Sequence, residues 1–186
     1  MANNTMLNAL KAQSGFSLGE LLVACAMVGF IMAGTFIALR NGEDVYQYGV
    51  GKVEVNENGR VGVDRMIHDL RTASSIIAAN QTSINFQFID DTGATVTVTY
   101  SLNGTTLQRN QTAPAPAVAQ PETIIGGVNT LDLRYLDSSN NVTATVANIR
   151  SIDVRLITQP QATGLGAYNL ANQRATFEDR VRPRNL

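Results

Sequence analysis

The sequence is poor in residues that cross-link a chain or commonly carry catalysis. Of its 186 residues one is cysteine (Cys25), one is histidine (His68), and none is tryptophan. A single cysteine excludes an intrachain disulfide, so the protein folds without one. The 14 basic and 15 acidic residues give a net charge of −1. This near-neutral charge gives no electrostatic reason to expect binding of nucleic acid or of an acidic substrate.

Motifs for catalysis and for metal or phosphate binding are also scarce. No cysteine–histidine cluster has zinc spacing, no serine lies in a Gly-x-Ser-x-Gly motif, and no glycine-rich phosphate loop follows a strand. His68 is expected to be a polar surface residue. Asp90 and Asp91 could contribute to a calcium site, but a turn is favoured because no oxygen-rich loop surrounds them. We therefore predict no enzyme, no cofactor and no metal site.

What the sequence does have is one long apolar segment near its start. From Phe16 to Leu39 the only charged residue is Glu20. As a helix this segment would extend roughly 36 Å, more than the hydrocarbon core of a membrane, which is about 30 Å. An acidic residue costs about 2.5 to 3.5 kcal/mol at the centre of a span and less toward its end. Lys11 and Arg40 are distant, so the sequence offers Glu20 no partner, and hydration at the membrane edge is one interpretation.

The residues around Glu20 resemble a known processing site. The string GFSLGELL at residues 15–22, after a short polar leader, is similar to the N-terminal motif of type IV prepilins and type II secretion pseudopilins. The resemblance implies cleavage between Gly15 and Phe16 by a prepilin peptidase on the cytoplasmic face, with N-methylation of Phe16. It also implies a partner for Glu20, the α-amine of a neighbouring subunit, so that two groups costly in lipid become a pair.

Other positions bear on the kind of subunit. Gly29 coincides with a glycine common in this family, whereas Ile37 stands where major subunits usually carry a proline. The missing proline is typical of minor subunits, which occur in few copies at the fibre tip. Residues 60–73 and the closing residues 180–186 resemble the larger minor subunits, namely J-type minor pseudopilins and the corresponding pilus type.

The hydrophobic pattern predicts a long N-terminal helix followed by an antiparallel sheet, an α+β fold that agrees with a pilin. We divide the chain into a leader (1–15), a transmembrane or fibre-core helix (16–39), an amphipathic continuation (40–77) and a β-rich globular domain (78–186). Glycines in the continuation, each costing up to about 1 kcal/mol, suggest a kink or break between Asn41 and Gly51. Arg65 and Asp69 form an i,i+4 pair expected on its wet side.

Within the β-rich domain, alternating patterns and turn residues predict several strands. A loop is expected at residues 110–121, and the chain from Gln159 is expected to be loop-rich before a short edge strand. The predicted strands lie around 84–88 and at 94–102, 105–108, 128–136, 142–146, 149–158 and 175–181.

The sequence therefore predicts a minor pilin or minor pseudopilin, a structural subunit that primes assembly of a type IV pilus or a type II secretion pseudopilus, at its tip. The expected partners are the prepilin peptidase, other pilins or pseudopilins and the inner-membrane assembly platform. The protein would cross the inner membrane once, with its C-terminal domain in the periplasm or outside the cell.

Three alternatives remain open. The first is a membrane-anchored extracytoplasmic binding or adhesive module that does not polymerise. The second is a secreted protein whose signal peptide is cleaved at Ala33-Gly34-Thr35, although a signal peptide has a shorter apolar core. The third is a major fibre subunit, which the missing proline disfavours.

Overall fold

The computed structural model describes residues 15–116, 120–161 and 173–186. The leader therefore lies outside the described residues, except for Gly15. So do residues 117–119 of the predicted loop and residues 162–172 of the predicted loop-rich segment. The chain divides into two compact units, one up to Val45 and the other from Tyr46 onward.

A single helix, α1 (Leu18–Arg71), begins in the first unit and ends in the second. Its first part contains an 18-residue stretch with a mean hydropathy of 2.4, none of which is buried. Among the described residues this is the one helix long and apolar enough to cross a membrane. The helix continues from Asn41 through Gly51, so of the kink or break suggested by the glycines, the break does not occur.

In the second unit, α1 packs one face against the sheets. Its buried positions recur every three or four residues, as in a helix that covers a core. These positions are Gly51, Val55, Gly59, Gly62, Val63, Met66, Ile67, Asp69 and Leu70.

The helix ends at Arg71, six residues before the predicted end at Ile77, which is a correction to the predicted helix. Thr72 donates hydrogen bonds from its backbone nitrogen and its Oγ1 to the Asp69 carbonyl, at 3.2 and 2.8 Å. A threonine that satisfies a backbone carbonyl in this way competes with continuation of the helix. The residues that follow pair with the next strand instead and bury Ala73 and Ile76.

The described residues contain eight strands, which form two antiparallel sheets. The order is β1-β2-β3-β4-β5 in the first sheet and β6-β7-β8 in the second. The strands are β1 (Ala73–Asn80), β2 (Ser83–Ile89), β3 (Thr95–Asn103), β4 (Thr106–Ala113), β5 (Glu122–Ile125), β6 (Val128–Leu136), β7 (Ser151–Thr158) and β8 (Ala175–Val181).

The pattern located β2, β3, β6, β7 and β8 but missed β1 and β5. Strand β4 continues to Ala113, into residues predicted as loop, because it pairs with β3 as far as Thr97. The predicted strand at 142–146 is wrong. Val142 forms one isolated bridge to Leu136, and a short 3-10 helix (Val146–Asn148) follows.

One hydrophobic core joins the second part of α1 to the inner faces of both sheets. Its largest fully buried side chains include Tyr100, Phe86, Met66 and Leu70. The arrangement confirms the predicted α+β architecture of a long N-terminal helix packed against antiparallel sheet.

Candidate functional site

The motif residues lie at the start of α1. Gly15, Phe16 and Ser17 precede the first helical residue, and Phe16 is 88% exposed. The junction between Gly15 and Phe16 therefore lies outside regular secondary structure, and the Phe16 side chain is accessible. Cleavage at this junction and methylation of Phe16 remain predictions.

Glu20 is part of a capping box at this helix end. The Ser17 backbone N–H donates a hydrogen bond to Glu20 Oε2 at 3.0 Å, and the Glu20 backbone N–H donates one to Ser17 Oγ at 3.2 Å. Two of the helix's unsatisfied N-terminal donors are thereby paired reciprocally. The sequence analysis left Glu20 without any partner in its own chain, and this is corrected here. The Ser-x-x-Glu spacing was the signal that could have revealed it.

The capping box does not neutralise Glu20. The Ser17 amide is a neutral donor, and Glu20 Oε1 accepts no hydrogen bond from the part of the chain that the structure describes. Glu20 is exposed at the start of an apolar helix. The carboxylate is therefore oriented by its own chain, while its charge is left for an external partner or for water.

The apolar segment after Glu20 is uncovered within its own unit. Leu18, Phe30 and Met32 are 77%, 80% and 69% exposed, and Cys25 is exposed as well. An added Cβ at Gly29 or Gly34 would meet no atom within 4 Å. A continuous apolar surface of this kind requires lipid or neighbouring helices, and small residues permit close helix packing.

A second polar cluster, which the sequence analysis missed, lies inside the second unit. Asp69 Oδ2 accepts hydrogen bonds from Arg109 Nε at 2.9 Å and from Tyr100 Oη at 2.8 Å. Arg65 is farther away, with its Nε 3.9 Å from Asp69 Oδ1. Asp69 and Arg109 are only 6% and 7% exposed. The prediction that the Arg65–Asp69 pair lies on the wet side of the helix is therefore wrong for Asp69.

The electrostatics of this cluster follow from burial and from the charge of Asp69. Burial raises the pKa of Tyr100 above its ordinary value, and the neighbouring Asp69 carboxylate raises it further. Burial alone would lower the pKa of Arg109, but its hydrogen bond to Asp69 and the Asp69 charge leave that pKa above the ordinary value. The cluster thus holds a protonated tyrosine and a charged arginine on one carboxylate. It joins α1 to β3 and β4, and no ligand-binding role needs to be assigned to it.

The other residues considered in the sequence have local structural roles. Asp90 Oδ1 accepts hydrogen bonds from the Thr92 hydroxyl (2.6 Å) and from the backbone N–H groups of Thr92 and Ala94 (both 2.9 Å). The hydrogen bond from the Thr92 hydroxyl lowers the pKa of Asp90 the most, and the bonds from the backbone lower it further. Hydrogen bonds of this kind are expected in the predicted turn. His68 is exposed. Within the described residues no group of three or more histidine, cysteine or acidic side chains could hold a metal.

The architecture is similar to that of a known protein, although the sequence is not. No family model matches the sequence, and no curated protein matches it at the level of sequence. Among solved structures, a type IV-like pilin from Thermus thermophilus is similar in structure, with a TM-score of 0.55 and 13% sequence identity. The likeness covers 70% of this chain and 97% of that chain.

The chain has a pilin fold. At 13% identity the likeness concerns the fold alone. Within the part of the chain that the structure describes, one apolar helix near the N-terminus is long enough to serve as a membrane anchor. The pilin-like fold expected from the sequence is confirmed.

Proposed function

We propose that this chain is a minor pilin or minor pseudopilin, which primes assembly of a type IV pilus or a type II secretion pseudopilus near the tip. The observation that supports this most directly is the exposed apolar part of α1, which carries a single oriented carboxylate and belongs to a chain with a pilin fold. A prepilin peptidase would cleave between Gly15 and Phe16 and methylate the new N-terminus. The inner-membrane platform would then incorporate the subunit beside other pilins.

Glu20 would set the register of assembly. The capping box uses the backbone N–H of Ser17, which cleavage before Phe16 leaves intact. The mature subunit would therefore present an oriented carboxylate and a new α-amine, both costly in an apolar environment. Pairing Glu20 with the Phe16 amine of a neighbouring subunit satisfies both charges at one axial position.

The minor-subunit assignment is supported by Ile37, which replaces the proline usual in major subunits. The helix is continuous from Leu18 to Arg71, in keeping with the absence of proline from this segment. The globular unit would lie on the extracytoplasmic side of the membrane, where other minor subunits could dock on it.

Charge removal at Glu20 tests the proposal. Glu20→Gln keeps an acceptor oxygen for the capping box but removes the negative charge. We expect this variant to be cleaved normally yet to be strongly depleted from sheared fibres, as measured by quantitative immunoblotting. Glu43→Gln, at another exposed acidic position of α1, is the matched control and should be incorporated normally. Normal recovery of Glu20→Gln in fibres would contradict the proposed role.

A further inference from the structure

The outward side of strands β2, β3 and β4 carries no charged side chain, and we call its middle part the neutral face. The three strands contain one charged residue, Arg109, which is 7% exposed and turned inward to Asp69. Because side chains alternate between the two sides of a strand, the residues between the buried ones point outward. The neutral face consists of residues with hydroxyl or amide side chains, namely Ser83, Asn85, Gln87, Thr97, Thr99, Ser101, Gln108 and Asn110.

A row of three side chains crosses the centre of the neutral face. The strand register places Asn85 opposite Thr99 and Thr99 opposite Asn110. Since neighbouring strands lie about 4.8 Å apart, this central row is roughly 10 Å long. In the adjacent row, Gln87 donates a hydrogen bond to Thr97 Oγ1 at 3.1 Å. The side chains of the central row form no such bond with any residue that the structure describes.

Asn85 shows most clearly that the central row has hydrogen-bonding capacity left over. Its Oδ1 is enclosed by neighbouring atoms and accepts no hydrogen bond from the described residues. A buried acceptor without a partner is unfavourable. Rotating this amide toward a bound molecule therefore breaks no hydrogen bond and allows the acceptor to be satisfied.

The absence of charge is specific to this part of the surface. The outward side of β7 and β8 carries two ion pairs, Arg155–Glu178 and Arg180–Asp153. Charged side chains of both signs are the usual means of keeping a protein surface soluble. A face that uses only hydroxyl and amide groups therefore calls for an explanation of its own.

The composition of the neutral face restricts the chemistry of its partner. Without a cation it cannot neutralise the phosphates of nucleic acid or of anionic lipids. It also lacks the aromatic and arginine side chains that anchor most protein–protein interfaces. Hydroxyl and amide groups both donate and accept hydrogen bonds, and so do the hydroxyl groups of an uncharged sugar.

From this match we propose that the neutral face binds a neutral polysaccharide through hydrogen bonds between sugar hydroxyls and the central row. An extended polymer lying across the three strands would meet the amides of Asn85 and Asn110 at the two ends of the row and the Thr99 hydroxyl between them. All three side chains are partly exposed. The proposal does not depend on the fibre-subunit function, because it concerns one sheet of the second unit.

Binding to two neutral glucans tests the proposal with the full chain. The protein, in a detergent without a sugar head group, is mixed with cellulose powder or dextran beads, and the bound fraction is measured after sedimentation. The variant Thr99→Val with Asn110→Ala removes two hydrogen-bonding side chains from the central row. Thr95→Val is the matched control, because it makes the same change on the outward side of β3, two rows away from Thr99.

We expect the wild-type protein to bind at least one glucan, equally well at low and high salt, because no charge contributes. The double variant should bind about tenfold more weakly through the loss of two hydrogen bonds, whereas Thr95→Val should change the affinity by less than about twofold. Heparin beads should retain no protein.

Three results would each overturn the proposal. The first is that the wild-type protein binds neither glucan, or binds only until the salt concentration is raised. The second is that it binds heparin alone, which would indicate a charged partner. The third is that the double variant, shown by circular dichroism to be folded, binds as well as the wild type or only as weakly as the Thr95→Val control.

Discussion

Asp69 is the side chain on which the polar contacts between the helix and the first sheet converge. One of its oxygens accepts hydrogen bonds from both Arg109 and Tyr100, on β4 and β3. A buried carboxylate is tolerated only when it is paired in this way, since an unpaired buried charge is strongly unfavourable. The cluster therefore positions residues of α1 on specific strands as well as stabilising them.

Replacing Asp69 by alanine should destabilise the fold by about 3 to 5 kcal/mol, because Arg109 would be left buried without its counter-charge. Denaturant unfolding of the detergent-solubilised protein, followed by circular dichroism, measures this. Asp64→Ala is the matched control, since the Arg60–Asp64 pair on the same helix is exposed. The control should change stability by less than about 1 kcal/mol. Equal effects of the two substitutions would show that the Asp69 cluster does not stabilise the fold.

The burial of Tyr100 predicts a loss of stability in alkaline solution. Its pKa is raised above the ordinary value of 10.0 in the folded protein, mainly by burial and then by the Asp69 charge. Below pH 10 the phenol is protonated in both states, so its contribution is fully present. As the pH rises from about 10 toward the folded pKa, only the unfolded chain ionises, and stability falls by about 1.4 kcal/mol per pH unit.

Comparison of the wild-type protein with Tyr100→Phe isolates this effect in unfolding experiments between pH 9 and 11. The variant should be less stable near neutrality, because it lacks the hydrogen bond to Asp69, but its stability should fall less steeply above pH 10. Parallel pH profiles for the two proteins would rule out ionisation of Tyr100 as the cause. The stability of the variant should still fall somewhat as the pH rises, because burial also raises the pKa of Tyr135.

The sequence could not reveal the surroundings of Asp69. Its i,i+4 spacing from Arg65 is typical of a solvent-exposed pair on a helix. The stronger partner, Arg109, lies 40 residues away in sequence, and no local pattern reports a contact of that range. The capping box of Ser17 and Glu20 was the opposite case, because its spacing is local and was readable from the sequence.

Two glycines of α1 allow the helix to approach the sheet closely. An added Cβ at Gly59 would overlap the ring of Phe177 on β8, and one at Gly62 would overlap the Ile125 side chain on β5. The sequence pattern places both glycines on one stripe of the helix with Val55 and Met66, but it gives no reason for glycine there and marks both as weak helix formers. In the structure they occupy the buried stripe of the helix, where the absence of a side chain makes room for two strands.

Gly59→Ala should therefore destabilise the protein by about 1 to 3 kcal/mol through overpacking, although alanine is the better helix former. Gly49→Ala supplies the control on the same helix, because Gly49 is exposed and a Cβ there meets nothing within 4 Å. This control should stabilise the protein by up to about 1 kcal/mol. Thermal or denaturant unfolding of both variants decides the matter, and stabilisation by both substitutions would refute the close-packing explanation.

The elements that the sequence predicted well are those with strong local patterns. The alternation in β2 and β7 and the Asn103-Gly104 turn before β4 are visible without tertiary information. Strand β1 was assigned to the helix because Ala73 and Ile77 continue the helical spacing. Strand β5 has only four residues between proline-rich and glycine-rich segments, and it is defined by pairing with β4. Long-range pairing decided both strands, so local periodicity could not identify them.

For the whole chain, the sequence motif and the fold are separate observations. The resemblance of residues 15–22 to a prepilin processing site is the basis of the proposed processing and assembly. The architecture, similar to a type IV-like pilin at 13% identity, shows the fold alone. The exposed apolar part of α1 belongs to both arguments. A chain that is cleaved and methylated would expose it next to a charged amine, as a polymerising subunit requires, whereas an anchored binding module needs no cleavage.

The most direct measurement is the intact mass and N-terminal sequence of the membrane-extracted protein, with and without a co-expressed prepilin peptidase. The proposed function predicts that the peptidase produces a chain that begins at methylated Phe16, and that the chain without peptidase keeps its leader. A start at Met1 in both samples would contradict the fibre-subunit function and leave a membrane-anchored module. A start after Gly34 in both samples would equally contradict it and indicate a secreted protein.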